Sequence, residues 1–176
     1  MILYGQKNGS FEILNLGNSN SNTARKTIRK AVSADFNNDG FLDIFGFTTG
    51  EHYQDKGVSE KDLLLINQNG STFKAVDIPE PRKNPPNHGG FVIDINNDGF
   101  TDIVSLDEEE GFASYPLKNI DGKKFSLVKK GLNPDIKKYR IHDGDAADLN
   151  NDGYDDMVIS VHLPNKYKFR NKGNFN

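Results

Sequence analysis

A short acidic segment occurs three times in the chain, and its residue types are those that bind metal ions. Each copy has the pattern Asp-x-Asn-x-Asp-Gly-x-x-Asp, and the copies begin at Asp35, Asp94 and Asp148. Oxygen-bearing side chains at alternate positions converge on one point when the backbone curls, and glycine at the sixth position permits the sharp turn. Oxygen ligands of mixed charge at this density favour calcium over magnesium, which requires a smaller octahedral site. The pattern therefore predicts three calcium sites.

Each predicted site uses four side chains and one backbone carbonyl. The side chains belong to the first, third, fifth and ninth residues of the segment, and the carbonyl belongs to the seventh. In chain order the predicted ligands are Asp35, Asn37, Asp39, Phe41 and Asp43; Asp94, Asn96, Asp98, Phe100 and Asp102; and Asp148, Asn150, Asp152, Tyr154 and Asp156. Three carboxylates crowded into one turn repel each other strongly when no cation is present.

Two other interpretations of the acidic segment use the same residues. Asp-Asn-Asp-Gly sequences also form hydrogen-bonded turns without metal, but a nine-residue spacing repeated three times is more than such a turn requires. An EF-hand loop begins in the same way and needs an acidic ligand at its twelfth position. The twelfth positions here are Gly46, Ser105 and Ile159. The EF-hand is therefore rejected.

The residues around the acidic segments indicate short strands. The chain has 18 Asp, 21 Asn and 17 Gly in 176 residues, and these residue types favour turns over helices. The stretches that start at Asp43, Asp102 and Asp156 are rich in β-branched and aromatic residues, as strands are. A second unit with an Asn-Gly or Asp-Gly hairpin signal alternates with the acidic segments. One full repeat of about 55 residues suffices for a four-stranded antiparallel sheet.

With these motifs the chain resembles the FG-GAP/VCBS repeats, which form the blades of integrin-α-type β-propellers and hold calcium in a turn between two strands. The resemblance covers the whole chain. It implies an all-β fold of about three four-stranded antiparallel blades, as a partial propeller or a fragment of a larger one, because propellers usually have four to eight blades. The remaining blades would come from the parent chain or from other copies. The predicted boundaries are 1–16 for a half-blade hairpin, 17–79 for repeat 1, 80–132 for repeat 2 and 133–176 for an incomplete repeat 3.

Composition and charge exclude several classes of function. A net charge of −3 and a pI near 5.8 argue against binding to nucleic acid, which needs a concentrated basic surface. The absence of cysteine excludes disulfides, thiolate metal sites and cysteine nucleophiles. The apolar stretches are too short for insertion into a membrane, and the sequence after Met1 does not have the form of a signal peptide.

The favoured function is a calcium-binding recognition or adhesion module that binds a protein or glycan partner through its loops. Loops of this type suit the extracellular space, in a secreted or cell-surface protein, where free calcium is abundant. The alternative is a propeller domain, catalytic or non-catalytic, of a secreted carbohydrate-active enzyme. The one candidate for catalysis is His142 with Asp143 and Asp145, but a solvated loop accounts for these residues better, and no catalytic residue is predicted.

The best candidate for a partner-binding loop is an insertion in the first repeat. Residues 48–60 have no counterpart in the third repeat, and they include His52 and Tyr53. Insertions in a rigid repeat form loops on one face, where binding residues concentrate. A solvated loop without function is the competing interpretation. The acidic run at 107–110 is predicted to be a solvated turn.

Overall fold

A computed structural model describes residues 2–14, 28–48, 61–79, 87–107, 114–128, 132 and 139–162. The secondary structure of these residues is β throughout, with no helix, so the expected all-β class is confirmed for them. Within the same residues there is accordingly no helix long and apolar enough to cross a membrane. The strands are β1 Ile2–Gly5, β2 Phe11–Leu14, β3 Ile28–Ala34, β4 Asp43–Thr48, β5 Leu63–Gln68, β6 Thr72–Val76, β7 Asn87–Ile93, β8 Asp102–Asp107, β9 Tyr115–Ile120, β10 Lys124–Leu127, β11 Arg140–Ala147 and β12 Asp156–His162.

The described strands form four open antiparallel sheets in chain order. Sheet 1 contains β1 and β2, sheet 2 runs β3-β4-β5-β6, sheet 3 runs β7-β8-β9-β10, and sheet 4 contains β11 and β12. Sheets 2 and 3 have the four strands expected of each repeat, whereas sheets 1 and 4 have two strands each among the described residues. The sheets fall within the predicted segments 1–16, 17–79, 80–132 and 133–176, whose boundaries stay a prediction.

Each acidic segment connects the first two strands of a sheet, as predicted. The segments are loop 1 (residues 35–43), loop 2 (residues 94–102) and loop 3 (residues 148–156). The strands on either side of each loop pair antiparallel, and the residue before the loop lies opposite its ninth residue. These pairs are Ala34 with Asp43, Ile93 with Asp102 and Ala147 with Asp156.

The outer hairpins of sheets 2 and 3 follow from their turn residues. Asn69 and Gly70 have φ of 60° and 78°, and Asp121 and Gly122 have φ of 53° and 66°. Positive φ at both central residues is the geometry of a type I′ turn, which Asn-Gly and Asp-Gly adopt most easily. The hairpin signals read from the sequence are therefore confirmed at both places.

The same irregularity occurs in the first strand of sheets 2, 3 and 4. The pairing shifts between Ile28 and Lys30, between Asn87 and Gly89, and between Ile141 and Asp143. Each of these strands therefore has a β-bulge six residues before its loop. The bulged residues are Arg29, His88 and His142. Bulges increase the local twist of a strand.

Two apolar clusters hold the sheets face to face. The larger cluster lies between sheets 2 and 3 and includes Phe45, Phe47 and Leu117, all fully buried. The smaller cluster joins sheets 3 and 4 and includes Phe91. Burial of such a side chain contributes roughly 1.5–3 kcal/mol. The two clusters consist of Phe36, Phe45, Phe47, Leu64, Ile78, Ile103, Tyr115 and Leu117, and of Phe91, Ile93, Val104, Leu106 and Ile141.

Small residues in the first strands let consecutive sheets approach closely. A methyl group on Gly90 would collide with the ring of Phe47, and one on Gly144 would lie 2.7 Å from the ring of Phe91. β3 packs beside β7, and β7 packs beside β11. The first strands of sheets 2, 3 and 4 therefore lie next to one another, with the loops that follow them at one end.

An ion pair reaches from sheet 2 to sheet 4 across the strand between them. The Lys30 Nζ atom lies 2.6 Å from the Asp143 Oδ1 atom. Gly89 in β7 lies against this pair, because a Cβ atom there would be 2.8 Å from the His142 carbonyl oxygen and 3.1 Å from Asp143 Oδ1. Because Gly89 has no side chain, the side chains of Lys30 and Asp143 have room to meet beside β7.

Candidate metal centres

The three loops share one backbone conformation, which their fourth and sixth residues make accessible. Both positions have left-handed φ. Asparagine is among the few non-glycine residues that adopt this region routinely, and glycine adopts it without steric cost. The fourth residues are Asn38, Asn97 and Asn151, with φ of 56°, 55° and 60°, and the sixth residues are Gly40, Gly99 and Gly153, with φ of 90°, 82° and 88°.

The first aspartate of each loop curls the backbone around its own carboxylate. In loop 1 the two oxygens of Asp35 accept hydrogen bonds from the backbone N–H groups of Asp39, at 3.0 Å, and Gly40, at 2.8 Å. Asp94 and Asp148 accept the equivalent bonds at 2.8–3.1 Å in loops 2 and 3. The hydrogen-bonded turn, which the competing interpretation without metal also describes, is therefore present in all three copies.

The third and fifth residues face each other inside the loop. The Asn37 side-chain nitrogen donates to Asp39 Oδ2 at 2.8 Å, and Asn96 donates to Asp98 Oδ2 at 2.7 Å. In loop 3 the Asn150 oxygen accepts the backbone N–H of Asp152 at 2.9 Å. The fifth aspartate of every loop also accepts the backbone N–H of the seventh residue, at 2.9–3.1 Å. The first, third and fifth predicted ligands of each loop therefore belong to one hydrogen-bonded turn.

The ninth aspartates of loops 1 and 2 are fully buried. Asp43 accepts the backbone N–H of Phe36 at 2.9 Å and that of Asn67, in β5, at 2.8 Å. Asp102 accepts the N–H of Ile95 at 3.0 Å and that of Asn119, in β9, at 2.6 Å. Neither carboxylate forms an ion pair with a described lysine, arginine or histidine.

The electrostatic consequence of this burial is a carboxylate that resists ionisation. Burial raises the pKa of Asp43, the N–H groups of Asn67 and Phe36 oppose that shift, and the charges of Asp39 and Asp35 add to it. The pKa of Asp102 is raised for the same reasons. A carboxyl group whose pKa is higher in the folded than in the unfolded state costs stability as the pH rises above the unfolded pKa, and the full cost is reached above the folded pKa. A nearby cation would offset this cost.

The residues of the loops fit a calcium ion by their donor chemistry. Among the described residues no three carboxylate or imidazole groups already converge like the ligands of one metal ion. Each loop still offers carboxylate oxygens, one amide oxygen and the seventh carbonyl, which are the ligands calcium prefers. A carboxylate oxygen that accepts one N–H keeps further acceptor capacity. The first, third, fifth, seventh and ninth residues could therefore hold the ion, which would supply compensating positive charge.

Loop 2 differs from loop 1 because a lysine side chain lies next to its fifth aspartate. Lys118 Nζ, in β9, lies 3.4 Å from Asp98 Oδ2. Hydrogen bonds from Asn96 and from the N–H of Phe100, followed by Lys118, lower the pKa of Asp98. The equivalent position in sheet 2, one residue before the asparagine of β5, is Ile66. Sequence analysis did not identify this lysine, because it comes from a different strand.

The sequence also did not indicate the roles of two buried polar residues, Asn119 and Asp62. Asn119 is fully buried, and its side-chain nitrogen donates to the carbonyls of Phe36, at 2.7 Å, and Thr101, at 3.1 Å. Its recognisable signal is an asparagine three residues before the hairpin glycine, which Asn67 shares. Asp62 lies buried before β5, and its bonds from the Thr48 N–H (2.8 Å) and the Ser105 hydroxyl (3.1 Å) join sheets 2 and 3. No repeated pattern marks that residue.

The histidine candidate for catalysis has its carboxylates engaged in other contacts. Asp143 pairs with Lys30, and Asp145 accepts the backbone N–H of Ala146 at 2.9 Å. The His142 ring meets the ring of His162 edge to face, with centroids 6.2 Å apart. His52, Tyr53 and residues 108–110 lie outside the described residues, and Asp107 ends β8.

Comparison with known proteins leaves the resemblance to FG-GAP/VCBS repeats as a prediction. A scan against protein-family models finds no match to this chain, and a search of curated proteins finds no similar sequence. The function must therefore be argued from the loops and sheets themselves.

Proposed function

We propose that this chain is a calcium-binding recognition module of the FG-GAP/VCBS type, with one calcium ion in each of the three loops. In this proposal sheets 2 and 3 are blades of a propeller, and sheets 1 and 4 belong to further blades. The module works outside the cell, in a secreted or cell-surface protein, and a protein or glycan partner binds its loops. The ions fix the loops on the sheets and thereby fix the surface presented to the partner.

The observation that carries the proposal is the ninth aspartate. In loops 1 and 2 it is buried beside two more carboxylates of its own loop, and the two N–H groups that it accepts do not carry a full positive charge. Burial of a charge without a counter-ion is costly. A divalent cation bound to the first, third and fifth residues would lie next to this carboxylate and supply the missing charge. Loop 3 has the same turn and the same donor groups, whereas its ninth residue Asp156 is partly exposed. The argument from burial therefore applies to loops 1 and 2, and the argument from donor chemistry applies to all three.

The first experiment is thermal and chemical unfolding with calcium, with magnesium and with chelator. Calcium should raise the free energy of unfolding by about 2.7 kcal/mol per site at a hundredfold excess over the dissociation constant, because the ion binds the folded loop. Magnesium at the same concentration should have a smaller effect, since it requires tighter octahedral geometry. Unfolding that is unchanged across the calcium titration would contradict the proposal.

The number of sites is a separate measurement. Calorimetric titration should give three calcium ions per chain for the unmodified protein and two for each of the variants Asp39→Ala, Asp98→Ala and Asp152→Ala. The matched control is Asp121→Asn, which removes a carboxylate from a hairpin turn outside the loops and should leave three. A stoichiometry that does not change in any of the three loop variants would contradict the ligand assignment.

The recognition role needs its own test. A glycan array and a panel of extracellular matrix proteins can be probed with the chain in calcium and again in chelator. We expect binding in calcium and its loss in chelator, because the ions fix the loop surface. Binding of equal strength in both conditions would show that partner recognition does not depend on the calcium sites.

A further inference from the structure

The three loops are joined to one another by a repeated hydrogen bond. The Asn38 side-chain nitrogen of loop 1 donates to the Gly99 carbonyl of loop 2 at 3.2 Å. The Asn97 nitrogen of loop 2 donates to the Gly153 carbonyl of loop 3 at 3.1 Å. Donor and acceptor occupy the same positions of their loops in both cases, the fourth and the sixth. Each loop therefore contacts the next loop along the chain by the same bond in the same direction.

The accepting peptide is the one that positions the ligands of the next loop. The Gly153 carbonyl belongs to the same peptide plane as the Tyr154 N–H, which donates to Asp152 Oδ1 at 3.0 Å. In loop 2 the Phe100 N–H likewise donates to Asp98 Oδ1 at 3.1 Å. A hydrogen bond to that carbonyl therefore fixes the peptide that joins the sixth and seventh residues, and the N–H of this peptide holds the side chain of the fifth residue, a predicted ligand.

The donating side chain is equally tied to its own loop. Asn97 stands between the predicted ligands Asn96 and Asp98, and its left-handed φ of 55° belongs to the folded turn. A cation that orders Asn96 and Asp98 must also order the backbone of Asn97 between them. The bond to Gly153 then transmits that order to loop 3.

A second, independent set of contacts joins neighbouring loops. The Asn119 nitrogen bridges the carbonyls of Phe36, in loop 1, and Thr101, in loop 2, at 2.7 and 3.1 Å. The N–H of Asp94, the first residue of loop 2, donates to Asp155 Oδ2 of loop 3 at 3.2 Å. Both pairs of neighbouring loops are thus connected at two places.

We infer that cation binding at the three loops is positively coupled, and that the bonds from Asn38 to Gly99 and from Asn97 to Gly153 carry the coupling. A cation in one loop orders its fourth residue, which orders the sixth and seventh residues of the next loop and raises that loop's affinity. Coupling of this kind is reciprocal, so occupancy of the later loop raises the affinity of the earlier one by the same factor. The inference rests on the proposed calcium sites.

Loop 3 can be observed by itself, because its seventh residue is Tyr154 where loops 1 and 2 have Phe41 and Phe100. A tyrosine beside a bound Tb³⁺ ion sensitises its emission, and Tb³⁺ binds the same oxygen ligands as calcium. The part of the tyrosine-sensitised emission that is lost in the Tyr154→Phe variant reports on loop 3.

The test is a double-mutant cycle that uses the loop 3 signal. Asp98→Ala disables loop 2, and its effect on the Tb³⁺ affinity of loop 3 is measured with Asn97 present and in the Asn97→Gly background. Glycine retains the left-handed backbone and removes only the donor. We expect Asp98→Ala to weaken loop 3 about two- to tenfold more with Asn97 present than in the Asn97→Gly background, the range expected for one hydrogen bond. Long-range repulsion between cations is the same in both arms and cancels.

The matched control is Asn151→Gly, which makes the same backbone change in loop 3 outside the Asn97–Gly153 bond. The effect of Asp98→Ala on loop 3 should be as large in this background as in the unmodified protein. If Tb³⁺ binds loop 3 and Asp98→Ala has the same effect with and without Asn97, the coupling is refuted and the calcium sites stand. If no Tb³⁺ or calcium binds to the unmodified chain, the proposed function itself fails.

Discussion

Loops 2 and 3 have the same sequence pattern and similar left-handed φ angles, and among the residues that the structure describes they differ in the contacts of their ninth residue. Asp102 is fully buried and accepts an N–H from the third strand of its sheet, at Asn119. Asp156 is partly exposed and accepts the N–H of Leu149 in its own loop, at 3.1 Å. The turn is therefore a property of nine residues, whereas the burial of its last carboxylate is a property of the sheet. Two copies of one sequence pattern can thus differ in the electrostatics of their ninth carboxylate.

The largest effect should come from removing the two ninth aspartates in chelator. Asp102→Ala relieves the cost of burying an uncompensated carboxylate, but it also leaves the buried N–H of Asn119 without its acceptor. We expect the second effect to be the larger one, so that the free energy of unfolding falls by about 1–3 kcal/mol. Asp156→Ala exposes its donor to water and should cost about 1 kcal/mol or less. Urea unfolding measures both. Equal losses would show that the third strand does not distinguish the two loops. Asp43→Ala should behave like Asp102→Ala.

The next effect concerns calcium affinity within loop 2. Asp98→Ala removes a charged ligand, and Gly99→Val places a β-branched residue at a φ of 82°. Both variants should lose at least about tenfold in affinity, because ligand charge and loop geometry set the dissociation constant. Phe100→Leu keeps the carbonyl and should stay close to the unmodified protein. Calorimetry on these variants and on Asp152→Ala, Gly153→Val and Tyr154→Leu compares the loops directly. Loss of calcium in Phe100→Leu with retention in Asp98→Ala would reverse the ligand assignment.

The smallest expected effect is on the calcium affinity of loop 2, which has a lysine beside it where loop 1 has Ile66. Lys118 lies 3.4 Å from Asp98 and competes with a cation for that carboxylate. Lys118→Ile, which copies Ile66 of sheet 2, should raise the calcium affinity of loop 2 by about two- to fivefold, as expected for an exposed ion pair. Lys124→Ile changes an exposed lysine of β10 and serves as the control for net charge. An equal gain in both variants would assign the effect to overall charge alone.

The fold class and the shape of the loops could be predicted because both are local. Asp-x-Asn-x-Asp-Gly predicts a turn in any chain, and the Asn-Gly pair at 69–70 predicts its hairpin from φ preferences alone. The contact of Lys118 with Asp98 depends on which strand lies beside the loop. The links from Asn38 and Asn97 depend on how consecutive sheets pack, and the asparagines fit the left-handed turn whether or not a neighbour exists. Asp62 has no counterpart in the other repeats, so its role in joining two sheets could not be predicted.

The ion pair between Lys30 and Asp143 has a consequence for the order of folding. Its two residues are 113 positions apart, whereas each outer hairpin closes over a three-residue turn. Hairpins form in about 1–10 μs, and contacts between distant residues must wait for the sheets between them to assemble. The pair can form only after β7 lies in place with Gly89 against it. We therefore expect its stabilisation to be absent from the transition state, so that it slows unfolding without speeding folding.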